Sequence, residues 1–81
     1  MTSQIVDIEI ERTLEKLVDG LGGTILQVHK KRLGLEGKTL KKDDYILLLE
    51  ELKRSIERFA GKKIAEKIYR EMIEIIERYG G

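Results

Sequence analysis

Six basic side chains crowd into residues 29–42: Lys30, Lys31, Arg32, Lys38, Lys41 and Lys42. His29 opens the stretch, and Glu36 is its one acid. Clustered Lys and Arg neutralise phosphates and release condensed counterions, which gives affinity without sequence readout. The chemistry on offer is therefore polyanion binding, with nucleic acid as the main case. No Phe, Tyr or Trp interleaves with these cations, so no base-stacking platform accompanies them. A helix-turn-helix needs a turn of about three to four residues. A helix starting after Gly20–Gly23 meets that requirement and would present Gln27, Lys30 and Lys31 outward. The longer connector before Asp43 does not. The competing reading is structural: Lys30, Lys31 and Arg32 in the last turn of a helix complement its dipole, and the remaining lysines keep a connector solvated.

The residues for covalent or metal chemistry are sparse. His29 is the single histidine, Ser3 and Ser55 are the only serines, and there is no Cys. Nucleophilic catalysis needs a base held beside a hydroxyl or thiol. Nothing in the spacing brings these residues together, and Ser55 reads as a mid-helix surface serine. Gly20-Leu21-Gly22-Gly23 lacks the dinucleotide-binding spacing, and Gly61-Lys62-Lys63 lacks the hydroxyl and upstream glycine of a phosphate loop. Asp43-Asp44 does not alternate as calcium ligands do and reads as a helix cap. Glu50 and Arg54 read as an i,i+4 ion pair. One His and no Cys leave no zinc set. The expectation is a non-enzyme without cofactor or metal.

The elements that position these residues read as helices. Val6, Ile10, Leu14, Leu17 and Leu21 recur at helical spacing, which predicts a helix from Ser3 to about Asp19. The run Val6–Glu11 also alternates as a strand would, but a lone strand needs a partner. Gly20, Gly22 and Gly23 end this helix. Thr24 caps a short second helix, Ile25 to about Leu33, with Ile25, Leu26, Val28 and Leu33 as its apolar positions. Gly34 stops it. Asp43 or Asp44 caps a third helix that runs to Phe59 or Ala60, with Tyr45, Leu48, Leu49, Leu52, Ile56 and Phe59 as its core stripe. Gly61 breaks the chain. A fourth helix spans Lys62 to Tyr79, lined by Ile64, Ala65, Ile68, Met72, Ile75, Ile76 and Tyr79. The predicted fold is all-α, a single domain over residues 1–81, as a compact four-helix bundle or an orthogonal helical array with the second helix short.

Composition agrees with one small domain. The chain has 81 residues, 38% charged and 41% hydrophobic, with a net charge of +1, so the basic zone hides inside near-neutrality. Its longest apolar run, Ile46–Leu49, falls far short of the roughly 20 residues of a membrane helix. Met1–Ile10 carries Asp7 and Glu9 and reads as no signal peptide. The expected location is the cytoplasm. Abundant charge without Cys is one thermophile pattern.

Some apolar residues lie beside the main stripes: Ile5, Ile8, Ile46, Leu47, Tyr69 and Ile73. A helix apolar on two sides is central in its bundle or sits at an interface. These six are the expected contacts of a protein partner or homo-oligomer, and protein–protein interaction is the expected function. Polyanion binding through Lys30, Lys31, Arg32, Lys38, Lys41 and Lys42 is the alternative. Over residues 34–70 a glycine-bearing basic turn, Lys-Thr-Leu-Lys-Lys-Asp-Asp, leads to a leucine-rich helix and then to Phe-Ala-Gly-Lys-Lys-Ile-Ala-Glu-Lys-Ile. This outline resembles small all-helical modules of uncharacterised thermophile proteins. The resemblance implies a helical fold and carries over no active-site residue.

Overall fold

A computed structural model describes residues 3–79 as four α-helices. They are α1 (Ser3–Glu15), α2 (Gly22–Arg32), α3 (Lys42–Ala60) and α4 (Lys62–Tyr79). Each packs on two neighbours, α1 on α2 and α4, α3 on α2 and α4. Every neighbouring pair is antiparallel. Asp7 meets Lys30, while Glu15, two turns later, meets Gly22. His29 meets Ser55 and Arg32 meets Glu51. Lys53 lies over the Tyr69 ring, across a hairpin whose link is Gly61 alone. The result is an up-and-down bundle. At 1.5 Å per residue α3 is about 28 Å long, which matches the 30 Å long axis of the molecule.

One core runs through the middle. Val6, Ile10 and Leu14 of α1 face Leu26 of α2, the Tyr45–Ile56 stripe of α3, and Ala65, Ile68, Met72, Ile75 and Ile76 of α4. The connector pins itself to this core with Leu35 and Leu40. The alternation at Val6–Glu11 is helical: Val6 and Ile10 are buried one turn apart, while Ile8 points outward.

Glycine shapes both ends of α2, not always as the spacing predicts. α1 stops at Glu15, before Asp19. The Glu15 carboxylate then accepts the backbone N–H groups of Gly20 and Gly22. This acid stitches the turn and holds the start of α2, so the helix begins at Gly22 with Leu21 as N-cap, and Thr24 makes no cap. Gly22 and Gly23 lie inside the helix. A Cβ on Gly22 would sit 2.6 Å from the Glu11 carbonyl oxygen, so its missing side chain lets α2 touch α1. α2 ends as the sequence predicts, at a glycine in the left-handed region. Gly34 has φ +71°, its N–H donates to Lys31 O, and Leu35 N–H donates to Lys30 O, the paired bonds of a Schellman motif. α3 starts one residue before the acids: Lys41 is its N-cap, and Asp44 accepts the Lys41 N–H at 3.0 Å.

Candidate functional site

The basic zone divides. Lys30 does not face solvent as a polyanion contact would: the residue is 8% exposed. Its Nζ lies 2.6 Å from Asp7 Oδ2, and Tyr45 OH donates to Asp7 Oδ1 at 2.8 Å. One carboxylate thereby ties α1 to α2 and α3. The Lys30 side chain is largely buried where it reaches the acid, as a long stem with a charged head allows. Lys30 therefore leaves the set of candidate contacts. It is equally unavailable to a helix-turn-helix reader, and α1 and α2 run side by side instead of crossing steeply. Arg32 is exposed but lies 3.6 Å from Glu51. Lys31, Lys38, Lys41 and Lys42 are exposed at the end of the bundle formed by the α2–α3 connector. None of these four enters an ion pair among the described residues.

The six candidate interface residues do not form one surface. Ile5 and Ile8 are each 43% exposed on the outer side of α1. Leu47 is exposed on the outer side of α3, which lies across the core from α1. Tyr69 and Ile73 are half-buried and packed on the core. Ile46 is also half-buried, on the flank of α3 that faces α4. There Glu50, Lys53, Arg54, Glu57 and Tyr69 line a charged groove of about 330 Å³, with Lys53 Nζ 5.1 Å from the ring centre of Tyr69. A second groove, of about 290 Å³, follows the α1–α4 junction between Leu17, Ile64 and Ile68. Lys16 and Glu71 bridge it with a 2.7 Å ion pair.

The apolar surface with a shared direction lies elsewhere, on the α2–α3 seam. Leu21, Ile25 and Val28 recur at four and three residues, so they share one face of α2. Leu21 is 53% and Val28 47% exposed, and Ile25 is half-buried. Across the seam, Phe59 is 55% exposed instead of filling the core stripe. Its neighbours set its level. His29 meets Ser55; Ile25 lies one turn before His29 and Phe59 one turn after Ser55, so antiparallel packing brings Ile25 and Phe59 abreast. The α2–α3 pair has the least extensive contact of the four, which leaves its outer side open.

His29 and Ser55 floor this seam, and sequence spacing missed their meeting. His29 Nδ1 lies 2.7 Å from the carbonyl oxygen of Ile25, and Nε2 lies 2.7 Å from Ser55 Oγ. A carbonyl only accepts, so Nδ1 carries the hydrogen; in the neutral ring Nε2 then accepts the Ser55 hydroxyl. The contact has the reach of a nucleophile–base pair. Ser55 sits within α3, where the amides of a helix interior bond within the helix. The pair acts as an interhelical pin. Arg32 and Arg54 share Glu51, at 3.6 and 3.8 Å, beside it. Arg54 thus pairs with Glu51 instead of Glu50.

Among the described residues no helix is long and apolar enough to cross a membrane, and no group of three or more His, Asp or Glu side chains is placed to hold a metal ion. No protein-family model, curated protein or solved structure matches the chain.

Proposed function

We propose that the protein is a non-enzymatic interaction module that docks a helix of another protein onto the α2–α3 seam. The observation that supports this reading is the exposure of Leu21 and Val28 on one face of α2, on either side of half-buried Ile25, with exposed Phe59 of α3 across the seam. Exposed apolar residues scattered singly are ordinary, whereas a group of them beside a sparsely packed pair of helices marks a place for a third. A helix laid there would bury these side chains and complete a three-helix contact. Fluorescence anisotropy with a labelled amphipathic peptide, uncharged on its polar face, tests this. Binding is expected to fall at least about tenfold in Val28→Ser/Phe59→Ser and to persist in Ile5→Ser/Ile8→Ser. Equal loss in both variants, or no binding by the parent protein, would overturn the reading.

Polyanion binding is the second reading. It stands on Lys31, Lys38, Lys41 and Lys42, which are exposed at one end and enter no ion pair among the described residues. Anisotropy with a labelled duplex is then expected to show affinity that collapses between about 50 and 200 mM salt. No binding at the lower salt would remove this reading.

A further inference from the structure

We infer that the partner of the α2–α3 seam is an amphipathic helix with acidic flanks, not a second copy of this chain; the inference rests on the docking reading above. Charge decides it. The rim of the seam carries Lys31, three residues past Val28, and Arg32 on α2; on α3 it carries Arg58, next to Phe59, and Arg54, which lines the α3–α4 groove as well but reaches Glu51 on the α2 side. Against them stands Glu51, already shared by Arg32 and Arg54, with Asp19 in the loop that leads to Leu21. Two copies joined seam to seam would set these cationic rims against each other, and like charges across a contact disfavour association. Asp and Glu beside the apolar stripe of an incoming helix would meet the same rim as partners, with guanidinium forks that suit carboxylates.

Shape sets the length of that helix. Leu21 to Val28 spans about 10 Å along α2. Two to three turns with apolar residues at i, i+3 or i+4, and i+7 would cover Leu21, Ile25, Val28 and Phe59. The acids belong on the two borders of that stripe, one facing Arg54 and Arg58, the other facing Lys31. Lys38, Lys41 and Lys42 lie at the far end of α2 from Leu21, so Lys31 is the one cation that the rim and the polyanion surface share.

Three labelled peptides of about 18 residues, long enough to form helix on the surface, test this. They share apolar positions and differ only in flanks of Glu, Gln or Lys. The acidic peptide is expected to bind about tenfold more tightly than the uncharged one, and the basic peptide more weakly than both. Raising salt from about 50 to 200 mM should narrow the gap. Arg54→Glu/Arg58→Glu should reverse the order, and the peptide series itself requires no altered protein. Equal affinity for all three peptides overturns the acidic partner while docking stands. No binding by any peptide overturns both. A dimer by sedimentation that blocks the acidic peptide overturns the choice of partner in favour of a second copy. A duplex that binds in place of the acidic peptide, and is lost in Arg54→Glu/Arg58→Glu, assigns the rim to nucleic acid and overturns it as well.

Discussion

Asp7 holds three helices at one point: it accepts from Lys30 of α2 and Tyr45 of α3 while belonging to α1. The pair is part-buried, and removing one partner leaves the other charge partly desolvated, which costs more than the pair itself contributes. Asp7→Ala is expected to destabilise the bundle by about 3 kcal/mol in urea unfolding, and Tyr45→Phe by about 1 kcal/mol. Equal, small effects would show that water already solvates the carboxylate. The two glycines that open α2 make an internal contrast. Gly22→Ala drives a Cβ to 2.6 Å from the Glu11 carbonyl oxygen, whereas at Gly23 the nearest Glu11 carboxylate atoms lie 3.5 Å away. Gly22→Ala should therefore cost about 1–3 kcal/mol, and Gly23→Ala should stabilise by about 0.5 kcal/mol through helix propensity. Sequence position alone ranks both as breakers. What separates them is the approach of α1, a tertiary fact.

At the scale of elements, the hairpin of α3 and α4 hangs on one residue. Gly61 has φ 92° and ψ 164°, a conformation close to glycine-only. Its N–H donates to Glu57 O, and its own carbonyl accepts from Ala65. Gly61→Ala is expected to cost about 1–3 kcal/mol in chemical denaturation; an unchanged midpoint would mean that the link relaxes freely. α4 was legible to its ends because Gly61 breaks the chain and one strong apolar stripe follows it. α1 was legible only to its middle. Leu17 and Leu21 continue its stripe, yet the Glu15 carboxylate draws the chain into a turn, and a side chain reaching forward to two amides leaves no periodic trace. Phe59 and Val28 fit a stripe by spacing but sit at its border, where a short neighbouring helix decides burial. His29 and Ser55 are far apart in sequence, and only the antiparallel register of α2 and α3 joins them. Ser55→Ala leaves His29 Nε2 without that hydroxyl and should cost about 1 kcal/mol.

The whole molecule is a ring of four helices with one weak join. α2 is the shortest helix, and α3 is far longer. Their seam is therefore where apolar surface stays open, and the arginines of α3 border it. The same geometry explains why the residues that spacing singled out scatter: α1 and α3 are diagonal, so Ile5 and Ile8 face away from Leu47. The four-helix architecture followed from stripes and glycines; the exposed seam did not, because it depends on which helices are adjacent and how far they overlap. The most direct test is a backbone-amide NMR titration of the protein with the acidic amphipathic peptide. Saturable shifts confined to residues 21–32 and 51–59 are expected. Shifts centred on α1 or on the α1–α4 groove, with the α2–α3 seam silent, would contradict docking there.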